Sequence, residues 1–352
     1  MPDVAVACLS GVTFHNPVTE KRQMTERTEP VPSARVRMSA IITVKDEAIH
    51  IERCIESLRW ADEIFVVDGG STDNTVSLAQ ARGATVLSNP WVGYAAQKNW
   101  ALLKLPLRND WILFLDADEV VTRELRREIA RVVEHPDDSC DAYFVNRRMV
   151  FLGRCLRHVW WYPDRTVRLV RRSAGGSFED RSVHERWVCP GRVGTLEADL
   201  VHENVKPLHE YVERLNRYST LEALEILRWR WVGKSGDVRA TFSGNSAERR
   251  RALKLRVWYH LPFRPFLRLL WTWIFRLGFL DGSEGWIFTQ LHLCYEVLID
   301  IKLRELESRR GEARHLEYVA NRLPGTREVV ASLAAYWQGK PGLGMGQHED
   351  TR

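Results

Sequence analysis

Two acidic side chains one residue apart, Asp116 and Asp118, close the apolar run Trp111-Ile-Leu-Phe-Leu115. Carboxylates at that spacing on a strand end can both reach one divalent cation. Mg2+ or Mn2+ takes oxygen ligands and is typically held by one or two carboxylates together with phosphate oxygens. Such an ion would neutralise the charge building on a departing nucleoside diphosphate. A second acidic signal ends another apolar run, Val66-Val-Asp68-Gly-Gly-Ser-Thr-Asp73-Asn-Thr75. Asp68 can accept hydrogen bonds from a base or a ribose, and the glycines let a ligand approach the backbone. Thr72 and Asp73 are good helix caps as well. Either stretch by itself also reads as a solvated turn, so the elements that position them decide between ligand and surface.

Those elements follow from hydrophobic periodicity. Ser39–Val44, Glu63–Val67, Ala84–Leu87 and Trp111–Leu115 are short apolar runs with β-branched residues, hence strands. Between them lie helical patterns: one with Ile51, Ile55 and Leu58 on a face, one opening after Asn74 and ending at Ala81, and one from Tyr94 to Leu103. Thr122 caps another that runs to about Glu134. Strand–helix alternation at this spacing predicts an α/β domain with a mainly parallel sheet and helices on both faces. Ligands of such sheets bind beyond the carboxyl ends of the strands, where Asp68 and Asp116 both fall. Between 141 and 203 shorter runs (Ala142–Asn146, Thr166–Val170, Val183–Val188, Leu196–Val201) suggest a mixed-sheet extension. Leu208, Tyr211, Leu215, Tyr218, Leu221 and Leu224 then make a helical stripe, with further helices expected near 247–260 and 284–307. The expected organisation is a disordered leader 1–37, a catalytic domain 38–205, a helical region 206–335 and a flexible tail 336–352.

The bulk composition narrows the classes. The chain has 352 residues and a net charge of +5, far short of a dedicated nucleic-acid binder. Its six cysteines form no C-x-x-C pair, so neither a zinc site nor a thioredoxin-like motif is indicated; they read as reduced thiols. No stretch reaches the 18–20 uncharged apolar residues of a spanning helix, and no secretory signal opens the chain. The expected location is the cytoplasmic face of a membrane, held peripherally. That expectation comes from 249–280, which carries eight Lys/Arg, no Asp or Glu and eight aromatic residues, while the rest of the chain sums to −3. Basic and aromatic residues in a segment too short and too charged to span suit an anionic bilayer interface. A helix packed with its Trp residues in a core and a nucleic-acid surface are the weaker readings; nucleic acid is not an expected partner.

In combination these residues resemble the family 2 glycosyltransferases, inverting enzymes with the GT-A fold. The matching stretches are Ser39-Ala-Ile-Ile-Thr-Val-Lys-Asp-Glu47, Val67-Asp-Gly-Gly-Ser-Thr-Asp-Asn-Thr75, Gln97-Lys-Asn99 and Leu115-Asp-Ala-Asp-Glu119. More narrowly, Trp60-Ala-Asp-Glu-Ile64, Trp91-Val-Gly-Tyr-Ala-Ala-Gln-Lys-Asn99, Val183-His-Glu185 and Gly278-Phe-Leu-Asp-Gly282 resemble the branch that includes lipopolysaccharide inner-core glucosyltransferases. The resemblance implies a nucleotide-sugar site: Thr43, Lys45 and Glu47 near the nucleoside, Asp68 facing the base, Lys98 and Asn99 beside the donor, Asp116 toward the ribose, Asp118 toward metal and diphosphate. It also implies a hexose donor such as UDP-glucose and a glycolipid acceptor. One departure is Asp46-Glu47, where such enzymes commonly carry Asn-Glu.

Inverting transfer needs a base for the acceptor hydroxyl. Glu179, Asp180 and Glu185 are the candidates; Glu185 is favoured because Val183-His-Glu185 matches the branch, with Asp180 second. His184 and His202 are candidate metal or pyrophosphate contacts, and His184 joins Asp116 and Asp118 as an expected ligand. Arg165, Arg168, Arg171 and Arg172 could clamp phosphates, though a solvated face suits most of them. A haloacid-dehalogenase-type phosphatase using Asp116-x-Asp118 is the rival enzyme class, yet it needs that motif on its first strand. A dehydrogenase lacks its G-x-G-x-x-G after strand one. A non-catalytic membrane adaptor would leave the carboxylates idle.

Overall fold

The computed structural model describes residues 35–135, 140–160, 162–179, 186–232, 249, 252–253, 256–261, 263–323 and 326–338. Strands β1 (Val36–Val44), β2 (Ala61–Asp68), β3 (Thr85–Ser88) and β4 (Trp111–Asp116) lie side by side in the order β3-β2-β1-β4, all parallel. Helices α1 (Ile51–Glu56), α2 (Thr75–Ala81) and α3 (Tyr94–Lys104) are the crossovers. After β4 the chain makes a three-residue strand, β5 (Glu119–Val121), which sequence periodicity does not reveal, and then α4 (Arg123–Glu134). Thr122 caps α4 as expected, its Oγ1 accepting from the Leu125 N–H at 3.1 Å.

The mixed extension is real and continues the same sheet. β6 (Cys140–Phe151), β7 (Arg154–Cys155), β8 (Asp164–Arg171) and β11 (Arg192–Glu203) extend it in the order β4-β8-β6-β11-β5, with β7 hairpinned onto β6. β8 is antiparallel to β4 and to β6, and β11 is parallel to β6. β9 (Ser177–Glu179) and β10 (Arg186–Val188) form a separate two-stranded ribbon. β1 begins at Val36; the expected leader lies outside the described residues up to residue 34, and the expected tail lies outside them after residue 338.

The alternation of β1 explains the two layers. Met38, Ala40, Ile42 and Val44 turn to one face with α1 and α4, while Ile41 turns to the other with α3. A strand buried on both faces reads as a continuous apolar run, as the sequence does here. Five cysteines among the described residues form no disulfide.

Beyond the sheet, α5 (Leu208–Val232), α6 (Arg264–Leu270), α7 (Gly282–Ser308), α8 (Ala313–Arg322) and α9 (Arg327–Trp337) form the helical region. Their own core holds Ala223, Leu227, Ile299, Leu303, Leu316 and Leu333. A smaller cluster of Phe151, Leu156 and Phe288 joins helices to sheet. Among the described residues no helix is long and apolar enough to cross a membrane.

At that joint, His292 of α7 donates Nδ1–H to the Phe288 carbonyl at 3.1 Å, beside Trp160. Burial, reinforced by the Arg268 charge, pushes its imidazolium down to about 4. The unfolded chain takes that proton near pH 6.5, so this stabilisation is whole above 6.5 and is lost as pH falls toward 4. The expected loss is about 2–3 kcal/mol at 1.36 kcal/mol per unit. Urea unfolding of His292→Phe at pH 7 and pH 4.5 checks this: the variant should lack the wild-type difference attributable to this ring.

Candidate active site

Register brings the acidic residues together. Val44 of β1 pairs with Asp68, and Thr43 pairs with Asp116. Asp68, Thr43 and Asp116 therefore sit on three adjacent strand ends at the ligand-facing rim. The Asp68 carboxylate accepts from the Gly70 and Ser71 N–H groups at 3.1 Å and so shapes the loop that follows. Gly69 is required there: an added Cβ would come within 2.6 Å of the Trp91 ring and 3.2 Å of the Val44 carbonyl. Thr43 Oγ1 is buried without a hydrogen-bond partner. Lys45 is exposed one residue beyond β1.

The Asp46-Glu47 departure has a structural role. Asp46 adopts a left-handed φ of 55°, which Asn and Asp tolerate best among non-glycine residues. Its Oδ1 accepts from the Thr72 N–H at 2.7 Å and from the Thr72 hydroxyl at 3.1 Å. An acceptor is needed there, and a carboxylate supplies one. Glu47 receives Lys206 Nζ at 2.7 Å and His50 Nδ1 at 2.7 Å. Because His50 Nε2 accepts from the Val205 N–H at 3.0 Å, the ring proton stands on Nδ1 and points at Glu47. Asp73 binds back as well, accepting from the N–H groups of Ala48 and Thr75 and from the Thr75 hydroxyl. Burial raises its pKa, but these hydrogen bonds outweigh it and hold the carboxyl below its ordinary value. Glu47 thus belongs to a polar brace under the rim.

The Asp116-x-Asp118 pair divides. Asp116 is half-buried and faces cations: Arg168 Nη2 lies 2.6 Å from one oxygen and Lys98 Nζ 3.5 Å from the other. The same Nη2 donates to Glu119, which is fully buried. Burial raises the pKa of Asp116, yet Arg168 and Lys98 reverse this and hold it well below the carboxylate range. Glu119 titrates above its ordinary value, raised by burial and by Asp116 against the pull of Arg168.

Asp118 has partners of its own. Its Oδ2 lies 3.1 Å from His202 Nε2 and 3.4 Å from Asn204 Nδ2. Burial raises its pKa and His202 more than reverses that, so the carboxyl stays below its ordinary value. His202 reaches Asp118 because β5 pairs antiparallel with the end of β11, setting His202 opposite Glu119. An 84-residue separation hides that contact from local pattern.

Other expected site residues take different work. Asn99 is engaged with backbone: its amide donates to the Phe178 carbonyl at 2.7 Å and accepts from the Phe178 N–H at 2.8 Å. These two bonds tie α3 to β9. Lys98 is fully buried over the Phe178 ring, 5.4 Å from the centroid. Arg168 is an internal bridge and not a phosphate clamp. Arg171 stacks on Trp111, Arg172 donates to the Leu107 carbonyl, and Arg165 reaches Asn146 at 3.4 Å. Asp180, His184 and Glu185 lie outside the described residues, between Glu179 and Arg186, which pair across the β9–β10 ribbon. His50, Glu119 and Lys206 are site residues that sequence reading missed. Only His50 carries a local signal, three residues after Glu47.

Residues 39–184 match the family described as glycosyl transferase family 2. Over 195 residues the chain is 33% identical to the lipopolysaccharide core biosynthesis glycosyltransferase LpsC of Rhizobium meliloti (strain 1021), an alignment taking in 54% of this chain and 71% of that protein. An uncharacterized glycosyltransferase of Rickettsia bellii is 28% identical over 280 residues, 77% of this chain and 87% of that one. Among solved structures, S. aureus TarS 1-349 in complex with UDP-GlcNAc aligns with a TM-score of 0.39 at 16% identity, over 87% of this chain and 93% of that one.

Proposed function

We propose, from the premise that this chain belongs to glycosyl transferase family 2, that it moves a hexose from UDP-glucose to a sugar of a lipopolysaccharide-core or similar glycolipid, with inversion, at a membrane surface. The observation that carries the reading is the alignment of Asp68, Thr43 and Asp116 on three adjacent strand ends, with Asp118 and His202 paired 3.1 Å apart beside them. Asp68 and the unpartnered Thr43 hydroxyl suit the nucleoside, and Asp116, half-buried between Lys98 and Arg168, suits the ribose.

The donor set fits a divalent cation. Asp118 Oδ2 and His202 Nε2 stand 3.1 Å apart, joined by a hydrogen bond that a bound ion would replace, His202 giving up its Nε2 proton to become a ligand. Among the described residues no group of three or more His, Cys, Asp or Glu side chains could hold a metal by itself. An ion there would need phosphate oxygens and water to complete its shell. Asp118 and His202 would hold it, with His202 in the place first assigned to His184. When bound, Mg2+ or Mn2+ neutralises charge on the diphosphate.

Glu185 is the proposed base, with Asp180 second; either would take the proton of the acceptor hydroxyl as its oxygen attacks the anomeric carbon. The support is that 180–185 joins two strands fixed beside the rim. Asn99 binds Phe178 of β9, and Phe178 packs edge-on against Phe114 of β4 at 5.0 Å. The phosphatase alternative loses its support because the acidic motif ends the fourth strand, not the first.

The test is thermal unfolding with UDP, with Mn2+, and with both. The expected result is a rise with both together well above the sum of the separate rises, because linkage stabilises only the state that binds. No joint effect, with release of phosphate from a generic ester, would replace the transferase by a phosphatase.

A further inference from the structure

The stretch 261–280 turns its charges inward and its apolar side chains outward. Arg264 is 1% exposed, donating to the Glu296 carbonyl at 3.2 Å and to Asp300 at 2.6 Å. Arg268 meets Glu296 at 2.6 Å, and Arg276 donates to the Trp160 carbonyl at 2.7 Å. What remains outside is hydrophobic. Eleven large apolar side chains between 261 and 280 are exposed, led by Phe263 at 78%, Phe275 at 67%, Phe266 at 58% and Trp271 at 52%. A soluble surface seldom gathers so many from one short stretch.

The backbone that presents them is irregular and pinned. Phe263 and Leu277 bracket the stretch with left-handed φ values of 54° and 57°, a conformation that bulky residues adopt only when their surroundings enforce it. Between them α6 runs into a π-helical turn over Trp271–Phe275. Asp281, 3% exposed, anchors the far end, accepting from the N–H groups of Arg157 at 3.2 Å and of His158 and Val159 at 2.8 Å. Gly278 and Gly285 allow that approach: a Cβ on Gly278 would meet the Thr272 carbonyl at 2.8 Å, and one on Gly285 would meet Asp281 at 2.5 Å. The apolar projection is thus fixed to the loop that leads into β8, the strand carrying Arg168.

We propose that 261–280 inserts its apolar side chains into the headgroup–acyl boundary of a lipid leaflet, and that this insertion, not lipid charge, carries the attachment. Bulky aromatic and aliphatic side chains on an internally neutralised segment suit that boundary, where buried apolar area sets binding strength. Two features favour a bilayer over a second copy of this chain. The exposed side chains come from one short stretch of 20 residues, with Phe263 and Phe275 the most exposed among them. Each described arginine within 263–280 already has a protein partner, so no charge is left to set a register. The inference rests on the proposed glycolipid acceptor for its purpose: pinning to the sheet would hold the rim at a fixed height over the leaflet. The basic run Arg249–Arg256 upstream can add attraction to anionic lipid, but insertion does not require it.

Vesicle flotation tests this, with phosphatidylcholine alone and with added phosphatidylglycerol, at low and molar salt. The expected result is co-flotation with phosphatidylcholine alone that survives molar salt. It should fall roughly tenfold or more in Phe263→Ser/Phe266→Ser/Phe275→Ser, since each lost ring removes several buried carbons. Ile301→Ser, exposed on α7, should float as the wild type does. Flotation only with phosphatidylglycerol, abolished by salt, overturns insertion while leaving membrane attachment standing. No flotation with any vesicle overturns both. The joint UDP and Mn2+ thermal shift of the triple variant shows whether it is folded. Absence of that shift in the wild type would sink the transferase reading without touching the flotation result.

Discussion

Asp118→Asn is expected to lower hexose transfer by about 10³-fold while moving the unfolding midpoint by only about 3 °C. The two effects separate because Asn keeps the side chain's contacts with His202 and Asn204, while the proposed role at the diphosphate depends on its charge. Asn is nearly isosteric and can still meet Asn204 and His202, so the fold loses on the order of 1 kcal/mol. What disappears is an anion that burial disfavours and His202 stabilises. Several kcal/mol of charge stabilisation at the diphosphate is worth about three decades at 1.36 kcal/mol each. His202→Phe should fall by a similar factor, and the double variant little further, because both groups serve one ion. UDP affinity measured by calorimetry with and without Mn2+ reads the same loss without an acceptor. An unaltered Mn2+-dependent affinity in Asp118→Asn would remove the proposed ligand set.

Much of this site was legible because its residues stand at strand ends, and strand ends are set by local pattern. The parallel strands β1 to β4, the helices between them and the Thr122 cap all follow from apolar periodicity and punctuation. Asp68 and Asp116 could therefore be assigned to one rim before any coordinates. The partners of those residues were not legible. His202 reaches Asp118 only through the β5–β11 pairing, and β5 has three residues, too few to show a period. Arg168 looked like one surface arginine among several, because β8 reads as half-exposed and its sequence does not say that Asp116 and Glu119 wait behind it. The backbone partners of Asn99 were hidden for a related reason: an amide suits a ligand and a β-strand backbone equally, and the packing of β9 across α3 is not a local pattern. Between 263 and 280 composition gave the aromatic and basic content correctly but not its division, with arginines inside and rings outside. Helical periodicity could not give it either, since the backbone there passes through α, π and 3-10 turns.

That buried arginine carries the second large effect. Arg168→Met is expected to lower stability by about 3–5 kcal/mol, the usual consequence of removing one partner from a buried ion pair. Arg168 is 2% exposed and Glu119 fully buried, and one guanidinium nitrogen serves both Glu119 and Asp116. With it gone, Lys98, 3.5 Å from Asp116, is the counter-charge that stays close. Without Arg168, Glu119, already above its ordinary value, would rise further, and Asp116 would be held down less, by Lys98 and the Arg147 charge. The folded variant would then bind more protons than the folded wild type, so its deficit against the wild type should narrow as pH falls from 8 toward 5. Arg168→Lys keeps the charge but cannot fork between two carboxylates, and should fall between. Arg168→Met/Glu119→Leu should regain much of the loss, because replacing a buried pair with apolar side chains of similar volume is often neutral or better. Urea unfolding of the three variants across that pH range decides the matter. A deficit that stays constant with pH and persists in the double variant would mean that Arg168 acts through packing alone, and that the low pKa of Asp116 is set elsewhere.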